Sequence, residues 1–123
     1  MKKILVVDDD PIYTKTLQVL LEKNHYQVKV AHDGEEGIAL ARQEKPDLIV
    51  LDILMPKLDG TEAYGIIKND PELENIPVLF LTAVLSKEEE APRANVEESY
   101  YHVIAKPIDN QDFITRVKAI LRE

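Results

Sequence analysis

Five short apolar runs, rich in β-branched residues, are the feature that most constrains the fold of this chain. The runs are Ile4–Val7, Val28–Val30, Leu48–Leu51, Val78–Leu81 and Tyr101–Ile104. Each has the length and composition of a β-strand. Three of them lack the polar alternation of a strand with one solvated face, so we expect them to be covered on both faces, as in a parallel sheet.

Segments with helical periodicity separate the predicted strands. Asp10, Asp33 and Asp109 are suitable N-caps for three of these helices. A further helix is predicted where Ser86–Glu89 fits a capping box, but Pro92 predicts that it is short or kinked. Apolar residues recur at helical spacing and are expected to face the core. They are Ile12, Leu17, Leu20, Leu21, Ile38, Ala41, Ala63, Ile66, Ile67, Phe113, Val117, Ile120 and Leu121.

The alternation of strands and helices predicts a doubly wound α/β fold, in which a parallel sheet carries helices on both faces. With 123 residues the chain has room for one hydrophobic core, and no repeat or Gly/Ser linker divides it. We therefore predict a single domain over residues 1–123. In such a fold the ligand crevice lies at the carboxyl ends of the strands, so functional residues are expected there.

Charge and composition exclude several classes of function. The formal charge of -8 repels nucleic-acid phosphates and anionic lipid surfaces, so neither is expected as a partner. Because there is no cysteine, a disulfide, a thiolate zinc site and a cysteine nucleophile are excluded. The apolar run after Met1 is too short for a signal peptide or a membrane span, and we expect a cytoplasmic protein.

Carboxylates gather at the predicted ends of two strands. Asp8, Asp9 and Asp10 follow the first strand, and Asp52 follows the third. Asp10 is explained as a helix cap, but Asp52 lies within an apolar run, where an unpaired carboxylate is costly. Because neighbouring carboxylates repel each other unless a cation joins them, we expect a hard, oxygen-liganded ion such as Mg²⁺ at this edge.

Thr82 and Lys106 lie at the predicted ends of the fourth and fifth strands. Alone, a threonine at such a position is usually a turn residue and a lysine is usually a surface charge. Together with Asp8, Asp9 and Asp52, however, the lysine leaves two negative charges, which one Mg²⁺ balances. A neutralised pocket of this kind suits phosphoryl transfer.

Five motifs, in order along the chain, closely resemble the response-regulator receiver domain of two-component signalling, of the chemotaxis-receiver type. They are Ile4–Asp10, Val50–Pro56, Leu58–Gly60, Leu81–Ala83 and Ala105–Pro107. The resemblance covers nearly the whole chain and implies a flavodoxin-like sheet with strand order 2-1-3-4-5. It also implies that the chain is a regulatory phosphoacceptor and not an enzyme. Its only reactions would be its own phosphorylation and dephosphorylation.

The resemblance implies that Asp52 is the phosphoacceptor and that it attacks a phosphohistidine. The implied donor is a sensor histidine kinase or a histidine phosphotransfer protein. Asp9, Asp52 and the main-chain carbonyl of Leu54 would ligate Mg²⁺, while Asp8 would act through water or more loosely.

The same resemblance implies that Thr82 and Lys106 hold the phosphoryl oxygens. Phosphorylation takes Asp52 from a charge of -1 to about -2, a local change that can bias a bistable element. The signal would pass to a downstream protein, and a homodimer through the last strand and helix stays open.

The chain departs from the family pattern near the expected output surface. Val103 takes the position at which receivers usually have an aromatic residue that swings inward with the threonine, here Thr82. Tyr101 shares the predicted face of Val103, and we hypothesise that it, or a backbone shift near Pro92, transmits the signal. The tyrosines are otherwise interpreted as packing residues with polar tips.

Other functions share parts of this pattern. A pseudo-receiver would keep the fold as a binding module that is never phosphorylated. A haloacid-dehalogenase-like phosphatase would use Asp8 and Asp10, but it needs a second acidic pair late in the chain, where Asp109 and Asp112 suit a helix start better. A flavin site is disfavoured because the first loop is acidic. Whether the chain acts alone or as one domain of a longer protein stays open.

Overall fold

The computed structural model describes residues 1–53, 55, 60–82 and 103–123. Within these residues five parallel strands form one sheet with the order β2-β1-β3-β4-β5. The strands are β1 (Lys3–Val7), β2 (Gln27–Ala31), β3 (Leu48–Asp52), β4 (Val78–Thr82) and β5 (Val103–Ala105). The doubly wound architecture and the implied strand order are confirmed, whereas Tyr101, predicted to begin the last strand, lies outside the described residues.

Four helices lie in the described part of the chain: α1 (Pro11–Lys23), α2 (Gly34–Glu44), α3 (Gly60–Lys68) and α4 (Asn110–Leu121). The predicted N-caps Asp10, Asp33 and Asp109 are confirmed, because each accepts a hydrogen bond of 2.8–2.9 Å from a main-chain N–H in the first turn. None of these helices combines the length and apolarity that a membrane span needs. The helix predicted near Ser86 lies outside the described residues.

Both faces of the sheet are covered, which explains why its central strands are apolar throughout. Side chains alternate along β1, so Ile4 and Val6 pack with α1 and α4, whereas Leu5 and Val7 pack with α2 and α3. All five residues of β3 are buried. Because burial of each aliphatic side chain contributes about 1.5–3 kcal/mol, the two cores hold the strand ends in fixed relative positions.

Two helical positions predicted to face the core are wrong. Ile12 is 77% exposed and Ile66 is 40% exposed. Five positions separate Ile12 from the buried Leu17, which places the two side chains about 140° apart around the helix at 3.6 residues per turn. Ile66 likewise directly precedes the buried Ile67, so it lies about 100° around α3 from the core-facing side.

A glycine at position 60 lets α3 begin directly against the end of β3. The N–H of Gly60 donates to the carbonyl of Ile53 at 2.8 Å. A Cβ atom on Gly60 would lie 2.6 Å from the Cα of Ile53 and would collide with the main-chain oxygen of Asp52. A larger residue would therefore displace the strand end that carries Asp52.

We predict that Gly60→Ala lowers the free energy of unfolding by about 1–3 kcal/mol, because overpacking forces main-chain atoms to move. Gly65→Ala is the matched control, since nothing lies within 4 Å of a Cβ built at that position of the same helix. Relieving a helical glycine should stabilise the protein by about 0.5–1 kcal/mol. Urea unfolding followed by circular dichroism measures both effects, and a change of the same sign for the two variants would contradict the steric explanation.

Asp70 joins the turn after α3 to helix α2. One of its carboxylate oxygens accepts a hydrogen bond from the Arg42 Nε at 3.0 Å, and the other accepts from the N–H of Glu72 at 2.9 Å. The hydrogen bond from Glu72, and after it that from Arg42, holds the pKa of Asp70 below its ordinary value of 3.8.

A lowered carboxyl pKa stabilises the folded state above pH 3.8, and this contribution is lost as the pH falls through the lower folded-state pKa. We predict that Asp70→Asn unfolds at a lower temperature than the parent protein at neutral pH, and that the difference shrinks in acid. Arg42→Gln removes only one of the two donors and should give a smaller change of the same sign. Thermal unfolding across the acid range measures this, and a difference that is the same at every pH would refute it.

Candidate functional site

The sequence-predicted polar residues lie along one edge of the sheet. Asp8 and Asp9 directly follow β1, Asp52 ends β3, Thr82 ends β4 and Lys106 directly follows β5. The edge is aligned because Val7 lies opposite Leu51, Asp52 opposite Leu81 and Thr82 opposite Ala105 in the register of the parallel strands. Parallel pairing therefore brings together residues that are far apart in sequence.

Three carboxylates form a compact cluster at this edge. Asp8, Asp9 and Asp52 each offer an oxygen, and these oxygens all lie within 4.8 Å of one another. Asp8 and Asp52 are buried, whereas Asp9 is exposed. A set of hard oxygen donors with one solvent-facing member fits Mg²⁺, which prefers carboxylates and usually keeps several water ligands.

Lys106 supplies the positive charge of the site. Its Nζ donates a hydrogen bond to Asp8 Oδ2 at 2.7 Å and lies 3.5 Å from Asp52 Oδ2. Burial of the ammonium by itself lowers the pKa of Lys106, but the hydrogen bond and charge of Asp8, joined by Asp52, outweigh burial and raise the pKa above 10.5. Lys106 is therefore a cation at neutral pH.

Asp8 is held on both of its carboxylate oxygens. Oδ2 accepts from Lys106, and Oδ1 accepts from the N–H of Asp10 at 3.0 Å. The N–H of Asp8 itself donates to the carbonyl of Ala31 at 3.1 Å, which ties the start of the loop to β2. These bonds account for a fully buried carboxylate, since a buried charge is stable only when it is paired and hydrogen-bonded.

Asp10 takes no part in the cluster of three carboxylates. Its Oδ1 accepts from the N–H of Ile12 at 2.9 Å, so the side chain is committed to the N-terminus of α1. The structure thus separates the third aspartate of the run from Asp8 and Asp9, as the capping prediction required.

Thr82 is fully buried at the last position of β4. Its carbonyl accepts a hydrogen bond from the N–H of Lys106 at 2.9 Å, beyond the last register pair of β4 and β5. Between β3 and β4, the N–H of Ile53 donates to the carbonyl of Leu81 at 2.9 Å. Main-chain hydrogen bonds therefore connect the chain segments that carry Asp52, Thr82 and Lys106.

Sequence reasoning missed Tyr13 as a member of the site. The Lys106 Nζ lies over the Tyr13 ring, 4.4 Å from its centroid, and the Tyr13 hydroxyl accepts a hydrogen bond from the N–H of Ile108 at 3.0 Å. The only sequence signal was its place in the first turn of α1, five residues after Asp8 and next to the exposed Ile12. Such a position cannot reveal a contact with a residue at the other end of the chain.

The structure describes one of three further positions that the sequence singled out. Leu54, whose carbonyl the resemblance assigns to the metal, and Tyr101, the hypothesised signal transmitter, lie outside the described residues. Val103 is described: it is half-buried, lies opposite Phe80, and its carbonyl accepts from the Arg116 guanidinium. The residue at the usual aromatic position is thus tied to α4 through its main chain.

Comparisons with known proteins agree with this architecture. The family model for the response regulator receiver domain matches residues 4–118. Protein PilH of Pseudomonas aeruginosa is 37% identical over 122 residues, covering 98% of each chain. The alkaline phosphatase synthesis transcriptional regulatory protein PhoP of Bacillus subtilis is 43% identical over 122 residues, which cover 98% of this chain but 49% of PhoP. The structure of the Vibrio cholerae chemotaxis protein CheY4 superposes with a TM-score of 0.81 at 25% identity, covering 98% of both chains.

The sheet order is that of the family, and the aspartate cluster has the composition of the acidic pocket with which receiver domains bind Mg²⁺. Receiver domains interact with histidine kinases and with downstream targets. The chain belongs to the response-regulator receiver domain family, whose members are phosphoacceptor switches of two-component signalling.

Proposed function

We propose that Asp52 accepts a phosphoryl group from a phosphohistidine on a sensor histidine kinase or a histidine phosphotransfer protein. A carboxylate oxygen of Asp52 forms the new O–P bond while the P–N bond breaks and its electron pair leaves with the imidazole of the donor. The observation that carries the proposal is the buried Asp52 carboxylate with the Lys106 Nζ at 3.5 Å and carboxylate oxygens of Asp8 and Asp9 within 4.8 Å. Phosphoryl transfer depends mainly on positioning and charge neutralisation, and this arrangement suits both.

We assign the metal site to Asp9 and Asp52 as ligands, together with the main-chain carbonyl of Leu54. Asp8 is better suited to orient a bound water, because protein donors already engage both of its carboxylate oxygens. The exposure of Asp9 supports a ligand that meets the ion from the solvent side. Held by these residues, Mg²⁺ would supply positive charge to neutralise the phosphoryl oxygens.

Lys106 and Thr82 are the proposed donors to the phosphoryl oxygens. An ammonium has three N–H donors, so Lys106 can bind a phosphoryl oxygen as the contact with Asp8 loosens. The Thr82 hydroxyl can both donate and accept hydrogen bonds, so it can donate to a phosphoryl oxygen.

Signalling follows from the added charge. Phosphorylation takes Asp52 from a charge of -1 to about -2, which draws the Lys106 and Thr82 side chains toward the phosphoryl group. Because the carbonyl of Thr82 is bonded to the N–H of Lys106, the two strand ends respond together. Val103 takes the position of the usual aromatic residue. We therefore propose that Tyr101, or a backbone shift near Pro92, transmits this movement to the output surface.

We propose that residues 1–123 work as a single cytoplasmic receiver domain that regulates a downstream protein and turns over no separate substrate. Relatives of two kinds support different organisations: PilH is matched along 98% of its length, and PhoP along 49%. The charge of -8 supports protein partners over direct contact with nucleic acid or membrane. A homodimer through β5 and α4 is compatible with either organisation.

The phosphatase and pseudo-receiver alternatives have less support. A haloacid-dehalogenase-like phosphatase would need Asp10 beside Asp8, but Asp10 caps α1. A pseudo-receiver would lack part of the charged set, whereas Asp8, Asp9, Asp52 and Lys106 are all present at one edge.

Incubation with acetyl phosphate and Mg²⁺ is predicted to add one phosphoryl group to the protein, as measured by intact mass, and to add none when Mg²⁺ is chelated. Asp52→Asn should abolish the addition because it removes the attacking oxygen. Asp10→Asn is the matched control, since asparagine is an equally good N-cap and should leave labelling unchanged. Labelling of the Asp52 variant, or its loss in the Asp10 variant alone, would argue for the phosphatase-like alternative.

Replacing Lys106 is predicted to move metal binding and chemistry in opposite directions. In Lys106→Met, the loss of a cation beside the carboxylates should tighten Mg²⁺ binding about fivefold, the effect of removing roughly 1 kcal/mol of repulsion. At saturating Mg²⁺ the same variant should accept phosphate at least about tenfold more slowly, because a preorganised donor is missing.

Calorimetric titration with Mg²⁺ and the time course of intact mass test the two halves of this prediction. Lys68→Met is the matched control: Lys68 donates to the carbonyls of Glu74 and Ile76, away from the carboxylates, and should leave both quantities unchanged. Weaker Mg²⁺ binding in the Lys106 variant would mean that the ammonium organises the metal site instead of competing with the ion.

A further inference from the structure

Tyr13 contacts the site lysine through the face of its ring. The Lys106 Nζ lies 4.4 Å from the ring centroid, within the distance of about 6 Å at which an ammonium is attracted by the ring quadrupole. The ammonium is mostly buried, with 15% of the lysine side chain exposed, so water weakens this attraction less than it would at the surface.

The Tyr13 ring is held from two directions. On one side the residue belongs to the first turn of α1, which Asp10 caps. On the other side its hydroxyl accepts a hydrogen bond from the N–H of Ile108, two residues after Lys106, at 3.0 Å. Tyr13 and Ile108 also pack against the same core. The ring therefore has a fixed position relative to the strand end from which Lys106 extends.

We propose that Tyr13 is a positioning residue for phosphoryl transfer: its ring face holds the Lys106 ammonium beside Asp8 and Asp52, and its hydroxyl holds the ring through the N–H of Ile108. This inference rests on the proposed function, in which Lys106 binds a phosphoryl oxygen.

The need for such a residue follows from the other contacts of Lys106. At rest the ammonium is bonded to Asp8, but transfer requires it to turn an N–H toward the incoming phosphoryl group. A lysine side chain has many rotamers, and one that loses its carboxylate partner would lose its position as well. An aromatic face attracts the ammonium without adding a negative charge that would repel the phosphoryl group. The ring can therefore hold the cation throughout the exchange of partners.

Two substitutions separate the ring from the hydroxyl. Tyr13→Leu removes both, and we expect the rate of acetyl phosphate labelling at saturating Mg²⁺ to fall about 3- to 10-fold, the range of a partly desolvated cation–π contact. Tyr13→Phe keeps the ring and should stay within about twofold of the parent rate. Tyr64→Leu is the matched control, because the Tyr64 ring lies 5.5 Å from the Nζ of Lys68, a lysine outside the site.

A spectroscopic measurement tests whether the Tyr13 ring lies over the Lys106 side chain in solution. The ring current of Tyr13 should shift the Lys106 ε-methylene proton signals upfield in spectra of protein with ¹³C-labelled lysine, and Lys106→Met assigns these signals by their disappearance. We expect the shift to persist in Tyr13→Phe and to vanish in Tyr13→Leu. General destabilisation is tested separately, by measuring the labelling rate of Tyr13→Leu at a temperature at which circular dichroism shows the variant to be fully folded, where a loss of stability alone leaves the rate unchanged.

Each outcome decides the matter. A slowed Tyr13→Leu with a lost shift, beside a near-normal Tyr13→Phe and an unchanged Tyr64→Leu, supports the proposal. A normal rate in Tyr13→Leu, or equal slowing in Tyr13→Phe, overturns the ring as the holder of Lys106 while Asp52 labelling stands. Failure of the parent protein to label at all would instead overturn the proposed function and this inference with it. If Tyr13→Leu does not fold, Tyr13→Met takes its place under the same criteria.

Discussion

The hydrogen bond between Lys106 and Asp8 joins residues 98 positions apart, and the rest of the site depends on it. Asp8 is fully buried, and removing one partner of a buried ion pair typically costs about 3–5 kcal/mol because a charge is left uncompensated. Since the same ammonium lies 3.5 Å from Asp52, one cation stabilises the ends of two strands. The stability of this edge and its suitability for phosphoryl transfer therefore have a common physical origin.

The strand order of the sheet brings the residues of this site together. In the order β2-β1-β3-β4-β5, the strands that carry Asp8 and Asp52 are neighbours, so their carboxylates lie close together. Two strands, β3 and β4, lie between β1 and β5, so a contact from Lys106 to Asp8 requires a long side chain. The apolar cores on both faces keep the strand ends from moving apart under the repulsion of three carboxylates.

Lys106 is also the point at which the site is connected to two helices. The N–H of Lys106 donates to the carbonyl of Thr82. Arg116 of α4 donates to the carbonyl of Val103 on β5. Tyr13 of α1 contacts the ammonium itself. A change of partner at Lys106 thus acts directly on β4, β5 and α1, and through β5 on α4. In the proposed switch, with Asp52 as phosphoacceptor and Val103 at the usual aromatic position, this connectivity would be a physical route from the site to the surface.

Local chemistry along the sequence determined the strands, the N-caps Asp10, Asp33 and Asp109, and the placement of acids, threonine and lysine at strand ends. These features depend on residues within a few positions of each other, such as a side chain that caps the next turn. The strand order came only through family resemblance, and tertiary structure alone decided that Lys106 bonds to Asp8 and that Tyr13 joins them. The physical reason is that an apolar periodicity specifies which faces are buried but not which distant residues meet there, because those contacts depend on how separate strands and helices pack.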